Sequence, residues 1–261
     1  MPLTIASWNI NSIRLRAGLI TRLIEAERPD ILCLQECKAP VESMPMDAFA
    51  AQGYPYWAAR GEKGYNGVAI LSRLPMDEIG ASDFAGLGQA RHIAARVAGL
   101  ELHNVYVPAG GDVPDRDQNP KFGQKLDFVS DMGARFGADR PERAILVGDL
   151  NIAPREDDVW SHRQLLKVVS HTPEEVDHLT RAQDAGGWVD ITRARIPEGR
   201  LYSWWSYRAR DWAASDRGRR LDHVWASGDI AGAAADCRIL REARGWERPS
   251  DHAPVLARFD L

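Results

Sequence analysis

The sequence reads as an α/β protein in which two sheets pack face to face with helices outside. Short apolar strands recur along the 261 residues, strand-helix-strand units occur in both halves, and no linker rich in Ser, Gly or Pro divides the chain, so residues 1–261 read as one domain. The opening segment Leu3–Ile10 alternates apolar with small or polar residues and reads as a strand ending among Asn9 and Asn11. From Arg14 to Arg28, Leu15, Leu19, Ile20, Leu23 and Ile24 fall at helical spacing, and Pro29 stops the run. A strand over Ile31–Gln35 follows at once. Further strands are expected at Gly67–Ser72, His92–Ala98, Leu102–Val107, Ala144–Val147, Leu221–Ala226 and Val255–Phe259, with helices at Gln124–Phe136 and Pro173–Ala185. Glycine and proline mark loops at 61–67 and 108–120.

Composition narrows the class. With 44% apolar and 27% charged residues the chain is globular, and a net charge of −4 with pI near 6.0 excludes a basic nucleic-acid coat protein. Cys33, Cys37 and Cys237 cannot all pair and form no C-x-x-C, so the chain reads as reduced and cytoplasmic. It shows no leader pattern at residues 1–5 and no apolar run near membrane-spanning length, so neither export nor membrane association is expected.

The informative pattern is what ends the strands. Ile31–Gln35 runs into Glu36; Ala144–Gly148 runs into Asp149, with Asn151 two residues on; Leu221 leads into Asp222, and Ser250 into Asp251-His252. Acids at strand ends lie on a sheet's rim, where catalytic groups on rigid scaffolds are found. Singly, each acid is more often a turn or capping residue. Jointly, four carboxylates, the amides of Asn9 and Asn151 and one His beside an Asp form a hard-oxygen donor set without sulfur, which suits Mg²⁺, with Mn²⁺ as a substitute, rather than Zn²⁺. A divalent cation among carboxylates is apparatus for phosphoryl chemistry. No G-x-S-x-G, Walker A or strand-following G-x-G-x-x-G competes with this reading.

A second pattern lies between Ile191 and Trp225, where eight arginines face four acids around the run Tyr202-Ser203-Trp204-Trp205-Ser206-Tyr207. Guanidinium groups hold phosphates and aromatic rings pack on sugars or bases. On a strand, Trp204 and Trp205 would point to opposite faces, one of them into the core.

Taken together, Ser7-Trp8-Asn9-Ile10-Asn11, Leu34-Gln35-Glu36, Asn66-Gly67-Val68-Ala69-Ile70, Val105-Tyr106-Val107-Pro108, Gly148-Asp149-Leu150-Asn151, Arg220-Leu221-Asp222-His223 and Ser250-Asp251-His252-Ala253-Pro254 resemble, in order and spacing, the exonuclease III family of DNA-repair nucleases. The resemblance implies a four-layer α/β sandwich of the deoxyribonuclease I-like class. It implies a metal site of Asn9, Glu36, Asp149, Asn151, Asp251 and His252, and a catalytic set of Tyr106, Asp149, Asn151, Asp222 and His252. The base is then Asp149 or an Asp222–His252 relay. It further implies an aromatic pocket wall at Trp204 and a DNA-facing loop carrying Lys63 and Tyr65; the Arg-rich segment itself offers substrate contacts from Arg208, Arg219 and Arg220, Arg219 standing where some relatives have Trp, and Lys121 and Lys125 are expected to add phosphate contacts. Where relatives often carry Asn or Gln after Tyr-Val-Pro, this chain has Ala109. The implied activity is Mg²⁺-dependent incision of duplex DNA 5′ to abasic sites and trimming of blocked 3′ ends by a monomer. The alternatives are a phosphoesterase of the same scaffold acting on inositol phosphates or sphingomyelin, and a DNA-binding protein without catalysis.

Overall fold

A computed structural model describes residues 2–261. In chain order the elements are β1 (Pro2–Asn9), α1 (Ala17–Glu27), β2 (Ile31–Gln35), α2 (Met46–Ala50), β3 (Tyr56–Arg60), β4 (Val68–Ser72), β5 (Met76–Gly80), β6 (His92–Val97), β7 (Leu100–Tyr106), α3 (Pro120–Ala138) and β8 (Ala144–Asp149). There follow α4 (His162–Leu165), α5 (Pro173–Gly186), β9 (Trp188–Asp190), α6 (Ile191–Arg195), β10 (Trp204–Trp205), α7 (Trp212–Ser215), β11 (Gly218–Arg219), β12 (Asp222–Ser227), β13 (Ala234–Ile239) and β14 (Val255–Asp260). One sheet has the order β13-β14-β1-β2-β4-β3 and the other β5-β6-β7-β8-β12-β9. Each contains one parallel pair, β1 with β2 and β7 with β8, and in both cases a helix crosses over between the partners.

Burial alternates along the strands as a two-sheet sandwich requires. In β1 and β2, Leu3, Ile5, Ile31 and Cys33 turn inward and meet Ile145, Val147 and Val224 of the opposite sheet. Their neighbours Trp8, Leu32 and Leu34 turn outward and are covered by Ile20, Leu23 and Phe49 of α1 and α2. On the second sheet Val105, Leu146 and Trp225 are covered by Phe128, Val129 and Met132 of α3 and Leu179 of α5. Both faces are therefore dry, which is why the central strands read as continuous apolar runs. The four-layer α/β sandwich expected from the sequence is the architecture found.

Differences from expectation lie at element ends and sheet edges. The first helix starts at Ala17 rather than Arg14, because Ser12 and Asn11 adopt positive φ and delay it. The third begins at Pro120, where Asn119 caps it by accepting from the Lys121 N–H and the proline occupies the first turn. Strands β3, β5 and β13 were not expected. Each lies at a sheet edge, as does β9, which was not expected either, and β5 has no fully buried residue. All three cysteines are buried and free, and burial raises their thiol pKa values. Among the described residues no helix is long and apolar enough to cross a membrane.

Candidate active site

Strand register brings the predicted acids together at one end of the sandwich. Tyr106 pairs with Asp149 across β7 and β8, and Asp149 pairs with Asp222 across β8 and β12, so the three form one row. The facing sheet contributes Asn9 from the end of β1 and Glu36 from just beyond β2. Two long-range hydrogen bonds, Ser250 Oγ to the Asn9 carbonyl (2.6 Å) and Trp8 Nε1 to the His252 carbonyl (2.9 Å), anchor the Asp251-His252 segment beside them. Ligands gather at the carboxyl ends of parallel strands in α/β sheets, and this is such an end.

The backbone here is unusual. Asn11, Glu36 and Asn151 all have φ near +50°, a region that costs energy for side-chain-bearing residues and clusters at functional sites. Gly148 has φ +145°, and a Cβ there would lie 1.8 Å from the Val105 carbonyl oxygen, so only glycine lets β8 present Asp149 at this point.

The side chains interlock around Asn9. Its Nδ2 donates to Glu36 Oε1 (2.9 Å) and Asp149 Oδ2 (2.8 Å), while its Oδ1 accepts from the Asn11 N–H. Asp149 also accepts from the Asn151 N–H (3.0 Å) and Asn151 Nδ2 (3.1 Å). His252 Nδ1 donates to Asp222 Oδ2 (2.8 Å), leaving Nε2 3.7 Å from Asp149 Oδ2. Asp251 accepts from Asn11 Nδ2 and from Trp204 Nε1, each at 3.0 Å.

The electrostatics follow from crowding acids into a dry site. Burial, reinforced by Asp222 and Glu36, pushes the Asp149 carboxyl up to about 7 against the pull of His252. Burial opposes protonation of His252, yet Asp222 and Asp149 outweigh it and raise the imidazole to about 10. For Tyr106 burial comes first, and Glu36 and Asp149 add to it, so its hydroxyl stays protonated. Glu36 and Asp251 are held low despite burial, Glu36 chiefly by Lys38 and Asp251 chiefly by His252. One atom each of Glu36, Asp149 and His252 lies within 4.8 Å of the others, a separation one cation can span. Oxygen donors in excess of neutralising charge fit a hard divalent metal. Beyond the acids opens a cleft of about 680 Å³ walled by Trp160, Trp204, Arg208, Arg217 and Arg219.

The model of the endonuclease/exonuclease/phosphatase family matches residues 6–252. The chain belongs to this family. Exodeoxyribonuclease III of Haemophilus influenzae is 30% identical over 97% of this chain and 98% of that one. Among solved structures, an AP endonuclease from Archaeoglobus fulgidus superposes with TM-score 0.93 at 32% identity, covering 99% of this chain and 100% of that one. A Neisseria 3′ phosphatase bound to a product DNA hairpin superposes at 0.89 with 34% identity over 99% and 100% of the two chains.

Within this endonuclease/exonuclease/phosphatase chain, the structure assembles Asn9, Glu36, Tyr106, Asp149, Asn151, Asp222, Asp251 and His252 in one cluster, with Trp204, Arg208 and Arg219 in the adjoining cleft. Trp205 is buried, as strand alternation requires. Lys63 and Tyr65 are exposed on the 61–67 loop, which is hydrogen bonded through Gly64, Asn66 and Gly67 to the Cys37-Lys38 segment. Two expected DNA contacts are corrected. Arg220 is fully buried, with its guanidinium on Asp158 (2.7 and 2.9 Å) and Asp190 (2.9 Å), and cannot reach a phosphate outside. Lys125 is also fully buried. Its Nζ pairs with Glu175 and donates to the carbonyls of Asn151 (2.8 Å) and Ala109 (3.3 Å), bracing the Asp149–Asn151 turn from below.

Four further residues escaped sequence reasoning. Ser203 Oγ donates to Asp222 Oδ2 (2.6 Å) and receives the Leu221 and Asp222 N–H groups, fixing the partner of His252. Lys38 bridges Glu36 (2.6 Å) and Asn11 (2.6 Å). Arg91 stacks over the Tyr106 ring at 4.6 Å. Glu175 accepts from Ser170 and Thr172 and so links α5 to the cleft wall. A polar Ser between Tyr202 and Trp204 was a readable signal; the other three had none.

Proposed function

We propose that this protein is a divalent-metal-dependent DNA-repair phosphodiesterase that cuts duplex DNA 5′ to abasic sites and trims blocked 3′ ends, with Mg²⁺ as the metal. The observation that carries the reading is the coincidence of an acid-rich, His-containing cluster with an Arg- and Trp-walled cleft directly beside it. Glu36 would hold the metal, with Asn9 and Asp251 on its waters, since Mg²⁺ keeps several waters and few protein ligands. When bound, the metal supplies charge neutralisation of the phosphate oxygens.

The chain's own groups do the rest. Asp149, oriented by Asn9 and Asn151, accepts a proton from the attacking water. As that water adds to phosphorus the bond to the upstream 3′ oxygen breaks, giving a 3′-hydroxyl and a 5′-phosphate. His252, locked in orientation by Asp222 and Ser203, donates from Nε2 to a phosphate oxygen. Tyr106 stays protonated and serves as a second donor at the phosphate or the leaving oxygen. Trp204 walls a pocket suited to a sugar without a base, which costs less to extrude than an intact nucleotide. The cationic wall favours this over a phosphoesterase for small polyols or lipids.

The deciding experiment incubates purified protein with a duplex carrying one abasic-site analogue, with Mg²⁺ and with EDTA. Nicking 5′ to the analogue only with Mg²⁺ is expected. Binding without nicking would leave a DNA-binding protein, and neither outcome would point to another phosphoester.

A further inference from the structure

Arg219, half-buried in the cleft wall, lacks a counter-ion, unlike its neighbours Arg220 and Arg193. Arg220 and Arg193 both sit on Asp158. No carboxylate among the described residues pairs with Arg219. Its Nη1 donates to the Val169 carbonyl (2.9 Å) and to Ser170 Oγ (2.6 Å), and its Nε has no partner. The acid that acts on it, Glu175, is already committed to Lys125 and to the Ser170 and Thr172 N–H groups. A desolvated guanidinium without an anion is costly, and an anionic ligand in the cleft would supply the missing partner.

Its placement says where that partner lies. Arg219 pairs with Trp204 across the β10–β11 ladder, and Trp204 bridges to His252 on its other side. The three residues therefore stand side by side, roughly 10 Å from first to last at about 4.8 Å per strand step. The indole is fixed at both ends, by its Nε1 on Asp251 (3.0 Å) and by the guanidinium 5.2 Å from its ring. Ser170, which holds Arg219, is itself held by the buried Glu175, so the guanidinium is set in place before any ligand arrives.

We propose that Arg219 forms an anion subsite beside the catalytic phosphate position, taking a carboxylate or phosphate carried about one sugar length from the scissile phosphorus. The proposal rests on the phosphodiesterase reading above and adds a substrate preference to it. An uncharged abasic sugar needs only the ring of Trp204; a charged fragment on the phosphorus uses the guanidinium as well. Two DNA ends present this chemistry: a short oxidised 3′ fragment ending in a carboxylate, and an abasic nucleotide that carries its own 3′-phosphate.

The test uses two pairs of duplexes with Mg²⁺, each pair differing by one anion. One pair ends in 3′-phosphoglycolate or its neutral 2-hydroxyethyl ester; the other ends in an abasic analogue with or without a 3′-phosphate. The wild type should favour the charged member of at least one pair by about tenfold in kcat/KM, the scale of one charge-assisted hydrogen bond. Arg219→Gln should bring that ratio to within about twofold of unity, with Arg219→Lys in between. Collapse in the first pair identifies the carboxylate source and collapse in the second the strand phosphate; either supports the subsite. A wild-type ratio near unity in both pairs, or an equal loss on charged and neutral members in Arg219→Gln, overturns it and leaves Arg219 a wall-bracing residue. If the wild type cuts none of the four, the phosphodiesterase reading itself fails.

Discussion

Two clusters of buried charge flank Leu221, one carried by Arg220 and the other by Asp222. In the first, Asp158 and Asp190 meet Arg193 and Arg220, and the signs balance. Burial works against ionisation of Asp158, but Arg220 and Arg193 prevail and hold its pKa low. In the second, among the described residues, Glu36, Asp149, Asp222 and Asp251 have only His252 and Lys38 as ion-pair partners, and Asp149 is left at about 7. The two clusters share the same strand junction and the same degree of burial, so depth does not separate them. What separates them is whether the protein neutralises its own charge. A cluster closed on itself braces the fold; one left with surplus acid is completed by something from outside.

This contrast breaks first, and most visibly, at the open cluster. Asp149→Asn or His252→Ala should lower turnover by about 10³-fold or more, because each removes a group placed against the developing charge. Thermal stability should hold or rise in Asp149→Asn, which relieves surplus negative charge, and fall in His252→Ala, which strips Asp222 and Asp149 of their buried cation. A loss of turnover under tenfold, read by steady-state kinetics, would place these residues outside the chemistry. Arg220→Met should act on stability, costing about 3–5 kcal/mol by stranding Asp158 and Asp190 without partners. Urea unfolding checks this, and weakened DNA binding at unchanged stability would instead restore Arg220 to the DNA face.

The closed cluster also predicts a pH profile. His223 accepts from Arg220 at Nδ1 (3.1 Å) and donates to the Ile152 carbonyl (2.9 Å), and burial, then Arg220, lowers its pKa from 6.5 to about 4. Above pH 6.5 the imidazole is neutral folded or unfolded and stability is full. As pH falls toward 4, the unfolded chain takes up a proton that the folded one refuses, which removes about 3 kcal/mol. Asp158 continues the decline below that, as pH passes its lowered value. The raised carboxyl of Asp149 works in the opposite sense over the same window, so the test is the difference between wild type and His223→Gln in urea titrations from about pH 7.5 to 4.5: the variant should lose less stability, or gain more, as pH falls, and an unchanged profile would refute the assignment.

The sequence carried the acids well because strand ends are legible and register does the remainder. Once Asp149 closes β8 and Asp222 opens the antiparallel β12 beside it, pairing sets the two carboxylates side by side. It carried the cations poorly, since a charge does not announce which way it points. Two overlooked signals existed. Arg219 and Arg220 are adjacent, so extended backbone sends them to opposite sides, and only one can face the cleft. Lys125 falls among Phe122, Leu126 and Val129 on the buried stripe of α3, a position where a lysine needs a partner such as Glu175. Edge strands such as β5 were illegible for a different reason: their structure comes from the neighbour they pair with.

The chain's first and last strands, β1 and β14, lie side by side at the middle of one sheet, and Asn9 at the end of one depends on the segment just before the other. Synthesis runs from the first to the last. Until Val255–Asp260 has left the ribosome and docked, the growing polypeptide holds Asn9 and Glu36 but not the His252 side of the centre. A cell making this protein is thus spared a half-built nuclease: the working centre closes only once β14 has been made and has docked beside β1.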